Sequence, residues 1–173
     1  MTGHPALGGA GLVPLATVRT SRAANATPHR RIPSLYADPA SWAVLEAVDE
    51  LWAGCPDEVR AASGTTAMVL VSTHATVDTM AAIARAVPGG RLSPLRFAGA
   101  SAGGPISLVC LVHGFRGPTL MITTDPVDGC PAARTMARHW LRTGAARHVV
   151  VGVHTHDPVG GHQVRCAVVE AAP

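Results

Sequence analysis

The sequence predicts an α/β fold: a five-stranded mixed sheet, mostly parallel, with helices on both faces. Three observations predict it. Short β-branched and apolar runs alternate along the chain with segments of helical periodicity, which is the pattern of crossover connections between parallel strands. The last two strand-like runs are joined by a short Gly-containing link, so they pair antiparallel. Apolar residues make up 47% and charged residues 14% of the 173, which supplies a core and excludes a disordered chain. This length suggests a single domain over residues 1–173. With only 3% aromatic residues, that core must be built from Ala, Val, Leu and Ile.

Gly11–Val18 reads as a first short strand, and Thr20–Asp38, rich in Pro and Arg, as a loop. Ser41–Ala53 follows Pro39 and places Trp42, Leu45, Val48, Leu51 and Trp52 at helical spacing, with Ser41 as N-cap. Thr66–Ser72 is an apolar run of strand length. Val77–Val87 is helical and stops at Pro88-Gly89-Gly90. Ala98–Pro105 is small and Gly-rich. Ile106–Val112 is continuously apolar, so its periodicity fits a buried strand and a buried helix equally. His113–Pro118 is a tight connection and Thr119–Thr124 a strand. Pro131–Arg142 is a helix with Gly144 as its stop signal. His148–Val153 and Gln163–Glu170 are the last strands, with His154–His162 as a hairpin-like link.

The composition also excludes function classes. All 14 basic residues are Arg, the bias of a GC-rich bacterial coding sequence. The net charge is only +3, and the Arg residues are scattered without interleaved aromatics, so nucleic-acid binding is not indicated. Cys55, Cys110, Cys130 and Cys166 never approach CxxC spacing. The apolar stretch Leu7–Ala16 lacks a basic leader, and no apolar run reaches the roughly 18 residues of a membrane span. A cytoplasmic protein with reduced thiols and no membrane partner is expected.

Three segments then carry a resemblance: HGFRGP (His113–Pro118), TLMITTD (Thr119–Asp125) and RTGAARHVVVGV (Arg142–Val153). Their order and spacing, after the small-residue segment, resemble a β-ketoacyl synthase of polyketide or fatty-acid assembly. In that family H-G-x-R-G-P leads into a strand ending S/T-x-C-[AS]-[SA]-G, then a helix and a V-x-x-G strand. The likeness is close over Ser93–Glu170 and rests only on element order before Arg91. It implies the N-terminal half of a thiolase fold, with no cofactor.

Carried over by position, Thr124 matches the family's Thr and Gly129 its Gly, and Pro126 stands where the nucleophilic Cys belongs. That Cys is activated by its place at a helix N-terminus. Proline offers no nucleophile and no N–H, yet suits the first turn of a helix. A full ketosynthase is also more than twice as long, and its second half carries two assisting His residues. The resemblance therefore implies a pseudoenzyme, like a shortened chain length factor. Such a subunit pairs with a catalytic ketosynthase, and through it indirectly with an acyl carrier protein.

In that arrangement the edge strand Thr119, Leu120, Met121, Ile122, Thr123 and Thr124 joins the same strand of the partner. Phe97, Leu108, Phe115 and Met121 are then candidates for the acyl-tunnel wall. His113 and Arg116 fall at framework positions of the turn. Two alternatives remain open: a homodimeric acyl-binding or scaffold protein using the same strand, and a small enzyme with rebuilt chemistry.

That chemistry has two candidate centres. Cys130 lies one helical turn beyond Pro126, where a small buried residue is the competing reading. In H-T-H-D-P-V-G-G-H, His154 and His156 on a strand face one side and are placed to share a metal, with a third ligand from the hairpin. Solvated loop polarity is the competing reading. Asp125 and Asp128 read as helix-capping groups. Gly99, Gly103 and Gly104 lack the G-K-[ST] of a phosphate loop and read as close-packing positions.

Overall fold

A computed structural model describes residues 7, 9, 11–23, 26, 37–90, 93–157, 159 and 161–173. The strands are β1 (Leu12–Arg22), β2 (Thr66–Ser72), β3 (Thr119–Ile122), β4 (His148–Asp157) and β5 (Gly161–Ala171). The helices are α1 (Pro39–Ala53), α2 (Asp57–Ala61), α3 (Val77–Ala86), α4 (Pro94–Ala98), α5 (Gly104–His113) and α6 (Pro126–Arg142). One five-stranded sheet has the order β1-β5-β4-β2-β3. β2 runs parallel to both β3 and β4, and β5 is antiparallel to β4 and to β1. The mixed five-stranded α/β architecture expected from the sequence is the one observed, but two of its four pairings are antiparallel, so the sheet is not mostly parallel as expected: β1 joins β5 antiparallel.

The two-residue period of the strands sorts their side chains onto two faces. Met68 and Leu70 of β2, Val150 of β4 and Val164, Cys166 and Val168 of β5 pack against α1 and α5. Their odd–even partners Ala67, Val69, Val71, Val149, Val151, Val153, Ala167 and Val169 pack against α6 through Cys130, Ala133, Ala137 and Trp140. β2 is buried along its whole length, as a central parallel strand with helices on both sides must be. Gly152 lets β4 lie under Leu70, because a Cβ there would stand 2.8 Å from Leu70 Cδ1.

Several boundaries differ from those expected. β1 continues through Arg22, three residues into the expected Thr20–Asp38 loop, because each of Thr20, Ser21 and Arg22 finds a partner on β5. Residues 24, 25 and 27–36 of that loop lie outside the described residues. The N-cap of α1 is Asp38, not Ser41: its carboxylate accepts from Ala40 N and Pro39 takes the first helical position. Ile106–Val112 is helical, within α5, whose Gly103-Gly104-Pro105 entry and Gly114 exit are helix-end residues. β3 stops at Ile122, so Thr123 and Thr124 lie beyond it. α6 begins five residues earlier than Pro131, which sits inside it. That ring forfeits one bond to the Val127 carbonyl, and Val127 is exposed, so water can take the carbonyl. β4 and β5 extend into the expected His154–His162 link, leaving a turn of three residues, of which 158 and 160 lie outside the described ones.

The two edges of the sheet are unlike. β1 carries Pro14, a register shift between Pro14 and Ala16, and the charged Arg19 and Arg22. β3 offers only Thr119, Leu120, Met121 and Ile122. Among the described residues no helix is long and apolar enough to cross a membrane.

Candidate functional site

The carboxyl ends of β2, β3 and β4 lie along one rim of the sheet, where open α/β folds place their ligand sites. Two groups of residues on this rim correspond to the sequence candidates.

The first is the β3–α6 turn. The Asp125 side chain accepts from Val127 N at 2.8 Å and caps α6, and Pro126 is its first helical residue. Asp125 also accepts through its carbonyl from Asp128 N and Gly129 N. Pro126 thus holds the helix-N-terminal place that the resemblance gives to the nucleophile, with a ring in place of a thiol. Gly129 seats the first turn of the helix against the sheet. A Cβ there would meet Val71 Cγ1 at 2.5 Å and Thr124 Cγ2 at 3.1 Å. Cys130 is 2% exposed and belongs to the core between α6 and the sheet. Burial pushes its thiol up from the ordinary value, against the opposing influence of Arg134 and Arg165. A displaced nucleophile needs access and a thiolate; Cys130 has neither in this fold.

The tunnel-wall candidates do not share a surface. Phe97 is exposed on α4, whereas Leu108 and Phe115 are buried in the α1/α5 core. Phe115 packs edge-on against Trp52 with ring centroids 4.8 Å apart. Met121 is half-buried on β3 against the same core. His113 bonds Asp49 at 2.9 Å and sits beside Trp52 and Phe115, the framework role expected of it.

The second group is a cluster of histidines at the ends of β2, β4 and β5. His154 and His156 do lie on a strand and face the same side, but they have different partners. His154 is 1% exposed. Its Nδ1 is 2.7 Å from Ser72 Oγ, and its Nε2 is 3.0 Å from His162 Nδ1. His162 is equally buried, and its Nε2 has no hydrogen-bond partner; the nearest carboxylate oxygen is Asp78 Oδ2 at 3.8 Å. His156 instead stacks on His74 with centroids 4.3 Å apart. His74 Nε2 bonds Asp78 Oδ2 at 3.0 Å. Burial is the main reason that His154 is held down to about 3, and the neighbouring His162, His74 and His156 add to it. His162 is lowered in the same direction, again by burial first. Both imidazoles are therefore neutral at pH 7.

His74, Asp78 and His156 present one ligand atom each, all within 4.8 Å of one another. Two of the three members thus come from the β2–α3 turn (His74) and α3 (Asp78), not one from the hairpin as the sequence suggested. His154 is not in the group, because its ring is engaged by Ser72 and His162. The turn that carries His74 is fixed from several sides. Ala75 takes a left-handed conformation (φ 46°), a strained choice for a residue with a Cβ, and its N–H donates to Ser72 Oγ at 2.9 Å. The buried Asp38 carboxylate accepts from Thr79 N at 2.8 Å, tying the start of α3 to the start of α1. Thr76 donates to the Ala100 carbonyl. The sequence did carry a signal for His74 and Asp78: S-T-H-A-T-V-D is a polar stretch directly after a fully buried strand.

No family profile and no curated protein sequence matches the chain. Solved structures do. The ishigamide ketosynthase/chain length factor aligns with a TM-score of 0.69 at 17% identity, over 82% of this chain and 46% of that one. A type II polyketide acyl-carrier protein in complex with its ketosynthase bound to the hexaketide (AntDE:AntF) gives 0.68 at 11%, over 93% and 62%. The ketosynthase ApeO in complex with its chain length factor ApeC, from Xenorhabdus doucetiae, gives 0.63 at 12%, over 83% and 63%. The chain thus spans from under half to under two thirds of these neighbours. At this level of identity the likeness is one of fold: the chain has the thiolase fold of the ketosynthases and chain length factors, over about half their length.

Proposed function

We propose that the chain is a non-catalytic, ketosynthase-like subunit that pairs with a catalytic ketosynthase in polyketide or fatty-acid-like biosynthesis, as a chain length factor does. The observation that carries this reading is Pro126 as the first residue of α6, on the turn leaving the edge strand β3. The fold keeps the helix that activates a thioester-attacking thiol, and the thiol itself is gone. What remains useful is shape and surface. β3 supports this: it is short, its residues are apolar or uncharged, and it lacks the proline, bulge and arginines of β1.

Addition of a partner's strand along β3 continues the sheet across two subunits. Met121, half-buried at the rim, and the exposed Phe97 are the tunnel-wall candidates left on the surface; Leu108 and Phe115 serve the chain's own core. The same free edge serves a second reading, a homodimeric acyl-binding or scaffold protein, and solution size separates the two.

The test is reconstitution. The protein is co-expressed with a ketosynthase and acyl carrier protein from the same gene neighbourhood, and the complex is sized and assayed. Co-elution with the ketosynthase, and a changed product-length distribution when the protein is omitted, is the expected result. A stable homodimer indifferent to the ketosynthase supports the second reading and overturns the first. Turnover or covalent acylation of the isolated protein overturns both.

A further inference from the structure

The histidine cluster is not used by this reading, and its arrangement has its own chemistry. We propose that His74, Asp78 and His156 form a binding site for one divalent transition-metal ion of the zinc class, with His162 as its buried inner wall.

Four features lead there. The first is the donor set. Two imidazoles and one carboxylate are the borderline ligands that zinc, cobalt(II) and nickel(II) accept, whereas magnesium and calcium need oxygen cages. The second is spacing. Ligands about 2.0–2.2 Å from a tetrahedral zinc lie about 3.4 Å from one another. The three ligand atoms fall within 4.8 Å, so small side-chain rotations close the site.

The third is His162. Its Nε2 is buried, unpartnered and 3.8 Å from the Asp78 oxygen that His74 also engages. A buried polar atom left without a partner costs stability unless something occupies the space before it. The Ser72–His154–His162 chain sets what that atom presents. With the Ser72 hydroxyl donating to His154 Nδ1, the chain ends in an N–H on His162 Nε2, aimed at the Asp78 carboxylate. With the His154 Nδ1–H donating to Ser72, it ends in a lone pair on His162 Nε2, fit for a metal. The hydrogen-bonded neighbour that orients a ligating imidazole is thus built in.

The fourth is mounting. Two histidines stand on the paired strands β4 and β5. His74 stands on the β2–α3 turn and Asp78 in the first turn of α3, a junction that Ala75, Asp38 and Thr76 hold in place. The sides of the site are partly exposed, with Asp78 at 40% and His74 at 14% of side-chain area, so an ion and a water have a way in.

The experiment uses the full chain without a histidine tag, stripped with chelator and dialysed. Isothermal titration with zinc chloride is expected to give one site per chain with micromolar or tighter affinity. Cobalt(II) is expected to show the absorption of a low-coordinate N/O site, and magnesium is expected to give no heat. Asp78→Asn and His156→Gln each weaken zinc on the order of 100-fold or more, and His162→Phe by about 10–100-fold. His139→Gln, on the exposed side of α6, leaves affinity unchanged. Circular dichroism of each metal-free variant shows whether it folds. Asp78, whose side chain is 40% exposed, supplies the variant that keeps the test valid if His156→Gln unfolds. The absence of saturable one-to-one binding by the wild type overturns the proposal. Equal affinity in the wild type and folded Asp78→Asn and His156→Gln does so too.

Discussion

On the proposed reading, Pro126 stands where a ketosynthase carries its nucleophile, and the scaffold around it is intact. Proline's fixed φ and missing N–H suit the first turn of a helix, and Asp125 still caps that turn. The scaffold is therefore expected to accept the thiol back. Pro126→Cys should fold normally and gain one thiol that iodoacetamide alkylates well before Cys55, Cys130 and Cys166, which are all buried. The helix N-terminus lowers the thiol's pKa, whereas burial raises Cys166 to about 12. Alkylation no faster than that of the native cysteines would show that the turn no longer activates a nucleophile.

Gly129 gives the complementary case. Adding a Cβ 2.5 Å from Val71 Cγ1 overpacks the α6–sheet contact at about 1–3 kcal/mol. Alanine returns about 0.5–1 kcal/mol of helix propensity. Gly129→Ala should therefore lose roughly 1–2 kcal/mol in urea denaturation. Both residues were legible in the sequence, because three segments in family order, following the small-residue segment, placed them. His74 and Asp78 were marked only by the polar residues after a buried strand, and their meeting with His156 was not legible: the pairing of β2 with β4 that brings them together is a long-range contact, and no local spacing encodes it.

At the scale of elements, alternation and turn chemistry located the strands and three of the six helices, α1, α3 and α6, missed the short α2 and α4, and failed at element ends. β1 and the β4–β5 pair ran longer than expected because a ladder continues while partners are available, whatever the local propensity. α5 was ambiguous because its outer face is largely apolar too, with Leu111 70% exposed, so little polar pattern sets its period. β3 matters most to function and was expected as a strand through Thr124; it ends at Ile122.

The ladder of β3 also yields a prediction. Met68 N donates to the Pro118 carbonyl. By the alternation of a parallel ladder the Leu120 and Ile122 amides then turn to β2, and the Thr119 and Met121 amides face outward. Met121→Pro removes an outward donor at an edge position that tolerates proline. It should lower association with the ketosynthase, or with a second copy, at least tenfold in analytical ultracentrifugation. The far-ultraviolet circular dichroism of the subunit should stay unchanged. Unaltered association would place the contact elsewhere.

For the whole molecule, the buried histidines make stability depend on pH. His148 is 4% exposed, with its Nδ1 unpartnered. Burial, and then Arg147, hold it below its ordinary value against the opposing pull of Glu170. The unfolded chain, titrating near 6.5, binds this proton before the folded one does. Unfolding free energy therefore rises with pH across that window. The stability is fully present above about 6.5 and is lost as pH falls toward the lowered folded value. Chemical denaturation of the metal-free protein between pH 7.5 and 5 should show this slope, at most about 1.4 kcal/mol per unit for each such group. His148→Phe should flatten part of it. An unchanged slope in that variant would show that His148 binds its proton equally well in the folded and unfolded chains.

The unequal rims of the sheet decide how large any assembly can grow. Pro14, the nearby bulge and the exposed Arg19 work against pairing on one side, and among the described residues four uncharged ones form the other. If the proposed pairing along β3 is the contact, a body with a single sticky margin is spent once that margin is used: it makes couples and cannot polymerise into a fibre.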